Sequence, residues 1–165
     1  MAILTIPPCS FQIETQAPIE GFVGPIVPGH FKVWQGLVDY QHWHQWMEGV
    51  EQVQLVESGD DSFSQLGRGS AFRLRGPAGH RTLEILLWAP SQRLVYLIGT
   101  STGRYACSFE VNLDRQTTTV SVVVGGEIEV LGVRRLVSTL IAYRYQRVFA
   151  RQCQRLANQL SKHLL

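Results

Sequence analysis

The last segment of the chain, from about Val133 to His163, contains neither proline nor glycine and is rich in Leu, Arg, Gln and Ala. Nothing in it breaks a helix, so the segment is predicted as one long helix. Its apolar residues fall in two adjacent rows at i+4. One row is Val133, Val137, Ile141, Tyr145, Phe149, Cys153 and Ala157; the other is Leu136, Leu140, Val148, Leu156, Leu160 and Leu164. Four residues turn an ideal helix by about 400°, so each row drifts around the axis by about 40° per step. Such a stripe suits a helix lying across a strongly twisted, curved sheet.

The middle of the chain supplies the strands for that sheet. Val50–Glu57, Gly69–Arg75, His80–Trp88, Arg93–Thr100, Arg104–Asn112 and Thr117–Val130 are strand-length runs parted by turn signals such as SGDDS, GPAG and APSQ. The gaps leave no room for crossover helices, so the strands are expected as antiparallel hairpins. Ahead of them, Phe11–Gln16 alternates apolar and polar as a half-buried strand does. Residues 17–29 carry Pro18, Pro25 and Pro28 with Gly21, Gly24 and Gly29, and read either as a long loop or as an irregular extension of that strand. From His30 to about Glu48 the pattern turns helical, with Phe31, Trp34, Leu37 and Val38 on one face. Asp39 reads as the cap between two short helices, and Gly49 ends the second. Strands bracketed by helices indicate an α+β domain whose long helix covers one face of the sheet.

A length of 165 residues suits one domain, expected over 1–165, with residues 1–10 as a flexible N-terminal segment. Hydrophobic residues make up 45% and charged residues 17%, a globular composition. A formal charge of +2 gives no reason to expect nucleic acid as partner, since phosphate backbones need a concentrated basic face. No run is long and apolar enough for a transmembrane segment; Leu83–Ala89 is strand-length and interrupted by Glu84. The opening MAILTIPPCSF has no basic region and is broken by Pro7 and Pro8, so no secretory signal is expected. Three cysteines, Cys9, Cys107 and Cys153, are far apart and form no CxxC pair. Reduced thiols in a cytoplasmic protein are the plain reading.

Several local motifs now converge. VWQGLVDYQHWHQWMEGV (33–50) joins a Val-Trp helix, an Asp-aromatic turn, two tryptophans three apart and a Gly-Val lead into a strand. Gly67-Arg68-Gly69 opens a strand, Pro90 precedes the hairpin strand Arg93-Leu94-Val95-Tyr96, and RLANQLSKHL lies in the final helix. In these pieces, over roughly residues 28–165, the chain resembles the SRPBCC superfamily of START-like or helix-grip proteins, and within it the polyketide cyclase/dehydrase and lipid-transport group. The sequence departs from the family pattern after Ala17-Pro18, where IEGFVGPIVPGH is inserted before the Val-Trp helix. The resemblance implies a curved antiparallel sheet of about six to seven strands gripping the C-terminal helix, with two short helices after the first strand. It also implies a pocket between sheet and helix for a lipid, sterol, polyketide, quinone or aromatic hormone.

The cluster HWHQW (42–46) holds two of the four tryptophans and two of the five histidines. His42 and His44 diverge by about 200° if helical and cannot share a ligand face. Zinc would still need further ligands, so no metal site is expected. Trp43 and Trp46 share a face. The plain reading is that they anchor the short helix; the sharper one puts one of them at the pocket mouth, touching the ligand. Arg144 sits in the second apolar row, on the side expected to meet the sheet, flanked by Tyr143 and Tyr145. Either its stem packs while the guanidinium reaches water, or it is a polar group of the pocket that orients an acidic or carbonyl-bearing ligand. Glu84, Glu127 and Glu129 are its candidate partners. Arg68, Arg73, Arg75 and Arg81 cluster around one hairpin and read as a solvated face, with a weak basic patch as the sharper reading. An apolar wall with a few polar groups makes Trp46, Trp88, Tyr96, Tyr105, Arg144 and Tyr145 the pocket candidates.

Catalytic signals are sparse: the chain has no GxSxG, HExxH, P-loop or dinucleotide fingerprint. No cofactor is expected. Cys107 reads as a small core residue, and His80 at a hairpin is a general base only if a substrate lies beside it. The favoured reading is a non-catalytic protein that binds or carries a hydrophobic small molecule, as a cytoplasmic monomer or homodimer with at most transient membrane contact. An aromatase/cyclase-type enzyme on the same scaffold is the second reading, in which Arg144 and a tyrosine polarise a carbonyl. An accessory protein-interaction module with a collapsed cavity is the third.

Overall fold

The computed structural model describes residues 2–14, 28–60, 66–77, 79–100, 103–114, 119–130 and 135–164. Seven strands are β1 (Ala2–Glu14), β2 (Gln52–Glu57), β3 (Ala71–Gly76), β4 (Gly79–Ala89), β5 (Arg93–Thr100), β6 (Gly103–Asp114) and β7 (Thr119–Val130). They form one antiparallel sheet in the order β1-β7-β6-β5-β4-β3-β2. Helix α1 (Pro28–Val38) and a 3-10 helix (Tyr40–Gln45) come between β1 and β2 in the chain, and α2 (Arg135–Leu164) closes it. This is the α+β architecture expected from the order of elements, in the helix-grip form that the resemblance implies.

The first strand corrects the expectation of a flexible segment over residues 1–10. β1 begins at Ala2 and runs antiparallel along β7, from Ala2 opposite Val130 to Glu14 opposite Thr119. Its register shifts between Ile6 and Cys9, where Pro7 and Pro8 stand. Proline has no N–H to give a ladder, so an irregularity is where a strand can hold it. The prolines that break the apolar run in sequence therefore mark a bulge within the strand. Of the segment 17–29, only residues 28 and 29 are described, and they open α1.

Alternation decides which face of the sheet is core. Phe72 and Leu74; Leu83 and Ile85; Leu94, Tyr96 and Ile98; Tyr105, Cys107 and Phe109; and Val122 and Val124 are all buried, while Arg73, Arg75 and Glu84 are exposed. In β4 the alternation is broken by a register shift between Ile85 and Leu87. Leu86 and Leu87 are both partly exposed, and Trp88 moves to the inner face opposite buried Leu94. Strict alternation puts Trp88 on the face of Glu84; the bulge reverses that parity.

On α1 the buried residues are Val33, Trp34 and Leu37, whereas Phe31 is 43% exposed, against the expected face. Trp34 meets Trp88 edge-on at 5.4 Å and ties the helix to the sheet. Asp39 does stand between the two helices, but its side chain caps no backbone N–H; its Oδ2 lies 2.6 Å from His42 Nδ1 instead. Trp43 and Trp46 are both 1% exposed. The Trp43 indole donates to the Leu37 carbonyl at 2.9 Å, and its ring lies 4.9 Å from Phe72 and 6.3 Å from Tyr96. Trp46 meets Phe109 edge-on at 5.8 Å. The tryptophans of HWHQW anchor the 3-10 helix in the core.

The apolar stripe of α2 wanders as the drift of i+4 rows requires. In the first half, half-buried Ile141, Tyr145 and Val148 and buried Phe149 face inward, while Leu140 is 70% exposed and Arg144 is also exposed. In the second half the buried residues are Gln152, Cys153, Leu156, Gln159 and Leu160. Leu160 closes against Gly36 of α1, where a β-carbon would collide with its Cδ2. The second row is therefore inward only beyond its midpoint, and the expectation that Arg144 meets the sheet is corrected.

Candidate ligand-binding cleft

The inner-face rows of three neighbouring strands change character at one end of the sheet. In β4 the row Ile85, Leu83 ends on Arg81. In β5 the row Leu94, Tyr96, Ile98 ends on Thr100, and in β6 the row Phe109, Cys107 ends on Tyr105. Antiparallel pairing brings these ends together, with Ile98 opposite Tyr105 and Thr82 opposite Gly99. The first half of α2 passes over them. Between helix and strands lies a cleft of about 520 Å³, lined by Arg81, Thr100 and Tyr105 from the sheet and by Ile141, Arg144, Tyr145, Val148, Phe149 and Gln152 from α2. Glu48, Gly49 and His80 complete its wall. The volume lies within the roughly 300–1,000 Å³ usual for small-molecule sites.

The floor of the cleft is aromatic. Tyr105 is 6% exposed, and its ring centroid lies 5.8 Å from Tyr145 and 5.9 Å from Phe149. Burial pushes the Tyr105 phenol well above its ordinary pKa, and the Arg81 guanidinium beside it pulls partly the other way. Tyr105 therefore stands as a neutral O–H group at the cleft. Arg81 donates through Nη2 to the carbonyl of Gly49, while its Nε–H is buried with no acceptor among the described residues. Gly49 is fixed from two sides. It needs a positive φ of 69°, and its carbonyl packs so closely on Gly76 that no β-carbon fits there.

The charges at the cleft are unevenly matched. Among the described residues Glu48 is its one carboxylate, and both its oxygens are taken by Arg151, with Nε at 2.8 Å and Nη2 at 2.7 Å. Those hydrogen bonds hold the Glu48 carboxyl below its ordinary pKa. Among the described residues no carboxylate pairs with Arg144 or Arg81. Glu84 and Glu127 are exposed, and Glu84, Glu127 and Glu129 occupy the outward-facing positions of their strands, so they are not the partners expected for Arg144.

Three of the six sequence candidates, Tyr105, Arg144 and Tyr145, thus come together at the cleft. The other three do not line it. Tyr96 is fully buried between Trp43 and Phe109, opposite Cys107, and burial raises its pKa well above the usual value. Trp46 and Trp88 belong to the packed interior, each with an indole N–H that finds no acceptor among the described residues. Sequence reasoning missed Arg81 as a cleft residue, having grouped it with exposed Arg73 and Arg75. Its signal was phase: Arg81, Leu83 and Ile85 share one face. His80 lines the cleft at an exposed position. The rings of His42 and His44 lie 6.4 Å apart and stacked on the 3-10 helix. Their Nδ1 atoms contact Asp39 and the Gln41 carbonyl. Among the described residues no cluster of His, Cys, Asp or Glu is arranged to hold a metal.

A curved antiparallel sheet gripping a C-terminal helix, open to a cleft between them, defines a START-like protein. The chain belongs to the polyketide cyclase / dehydrase and lipid transport family, whose sequence pattern matches residues 31–161. Among solved structures it is similar to a START superfamily protein from Mycobacterium smegmatis, with 10% identity and a TM-score of 0.63 over 97% of each chain. It is similar also to the ZhuI aromatase/cyclase from Streptomyces sp. R1128, with 12% identity and a TM-score of 0.69 over 99% of this chain and 97% of that one. A third likeness is to the di-domain ARO/CYC BexL of the BE-7585A biosynthetic pathway, with 13% identity and a TM-score of 0.66, covering 96% of this chain and 46% of BexL. At these identities the likeness is one of fold. No curated protein sequence matches the chain. No helix among the described residues is long and apolar enough to cross a membrane.

Proposed function

We propose that the protein binds a hydrophobic small molecule, of lipid, quinone or polyketide-like character, in the cleft between the first half of α2 and the ends of β4, β5 and β6. The observation that carries this reading is the cleft itself: about 520 Å³, walled by Tyr105, Tyr145, Val148 and Phe149 together with a few polar groups. Deeper in the grip, Trp43, Trp46, Phe72, Tyr96 and Phe109 fill the space between sheet and helices. The proposed ligand site is the open end of the grip. The reading takes the protein as a cytoplasmic monomer or homodimer that meets membranes only in passing.

A second reading, an aromatase/cyclase-type reaction, is favoured by one observation. Tyr105 and two arginines face one cleft, and such donors can polarise a carbonyl as charge develops on its oxygen. One experiment separates the two. Protein purified without detergent is weighed by native mass spectrometry, and any bound compound is extracted and identified. A stoichiometric lipid or quinone supports binding or carriage; a cyclised aromatic product supports the enzyme. An empty protein that also takes up no fluorescent apolar probe would overturn both and favour the accessory reading.

A further inference from the structure

The charge imbalance at the cleft says more about what it takes. Arg81 and Arg144 line it, and among the described residues its one carboxylate, Glu48, is consumed by Arg151 and no other carboxylate answers either arginine. The Arg81 guanidinium is pinned by the Gly49 carbonyl, and its buried Nε–H finds no acceptor among the described residues. A buried donor that its own fold leaves unserved is unfavourable until something accepts from it. The same cleft is lined by the aromatic and aliphatic side chains of Tyr145, Val148 and Phe149. The site thus combines cationic donors with apolar surface.

We propose that the cleft selects amphiphiles bearing an anionic head, the head lying against Arg81 and Arg144 and the apolar body against Tyr145, Val148 and Phe149. This rests on the reading of the cleft as a ligand site and adds the charge of its ligand. A carboxylate and a phosphate monoester share the required chemistry: each brings several acceptor oxygens and a negative charge to a planar, five-donor cation. Tyr105, neutral and beside Arg81, has an O–H to donate to the same head. An alcohol of equal chain length covers the apolar surface equally but leaves both guanidinium groups uncompensated.

The test uses the whole chain and the neutral fluorescent probe N-phenyl-1-naphthylamine, displaced by dodecanoate, dodecyl phosphate or dodecanol below their micellar concentrations. At least one anion is expected to displace the probe about tenfold more tightly than dodecanol, as charged hydrogen bonds at a partly open site allow. The tighter anion identifies the head as carboxylate or phosphate. The preference should shrink as salt rises and fall to near parity in Arg144→Met, whose exposed position leaves folding intact. Arg81→Met, checked by thermal unfolding because Arg81 also holds Gly49, should lower it independently. A protein that binds the probe but lets dodecanol compete as well as both anions overturns the proposal while leaving the ligand site standing. Retention of the preference in both variants overturns it too. Failure to bind the probe or any of the three competitors removes the ligand site itself, and the proposal with it.

Discussion

Phe109 shows how much one side chain holds at the centre of the grip. It is 1% exposed and lies 5.8 Å from Trp46 and 5.5 Å from Tyr96. Phe109→Ala leaves a void among rings that cannot collapse into it, and should cost about 3–5 kcal/mol in urea unfolding. A loss below about 1 kcal/mol would mean that the interior is loosely packed. At the cleft rim, Glu48 offers a test in pH. Its hydrogen bonds from Arg151 lower its carboxyl pKa on folding. A carboxyl lowered in this way stabilises the fold above its unfolded pKa, and the contribution is lost as pH falls through the folded value. Glu48→Gln should therefore lower Tm slightly at neutral pH, since the pair is exposed, and the difference should close in acid. Thermal unfolding over a pH series measures it; a gap that persists in acid would point to packing instead.

Among the elements, hairpin β3–β4 separates two kinds of glycine. A β-carbon on Gly76 would strike the Gly49 carbonyl, which is backbone and cannot swing aside. Gly79 has φ 95° and nothing within 4 Å of where a β-carbon would stand. Gly79→Ala should then cost only conformational strain, about 1–2 kcal/mol. Gly76→Ala should cost more and should also disturb the cleft, because Gly49 carries the carbonyl that holds Arg81. Thermal unfolding together with probe binding distinguishes them: Gly79→Ala is expected to keep the probe site and Gly76→Ala to weaken it. Equal effects on both readings would mean that the β3 end is not coupled to the cleft. The β4 bulge teaches the same lesson in register. One extra residue reverses the parity of everything beyond it, so strand alternation is a sound guide to facing only up to the first irregularity.

For the molecule as a whole, the proposed ligand should act as a stabiliser, since it joins α2 to three strands of the sheet. A ligand at a hundredfold above its Kd adds about 2.7 kcal/mol, which for a chain of this size raises Tm by about 5–10 °C. Differential scanning fluorimetry with the tighter-binding anion checks this, and an unchanged Tm at saturating ligand would mean equal binding to the unfolded chain. Fold class, six of the strands to within a residue or two and the long helix were legible without coordinates, because each rests on a local period: two for strands, 3.6 for the helix, with Gly and Pro at the breaks. Tyr105 was found by that same alternation, and Arg144 and Tyr145 by their place in the apolar rows of the long helix. What periodicity could not supply was anything set by distance across the fold. It did not show that Pro7 and Pro8 sit in a paired strand, that Arg81 turns inward beside Tyr105, or that Trp46, Trp88 and Tyr96 pack the interior instead of lining the cleft. A period tells which residues share a face; where that face ends, and what closes over it, depends on bulges, on the drift of a helix across a curved sheet, and on partners far away in the chain.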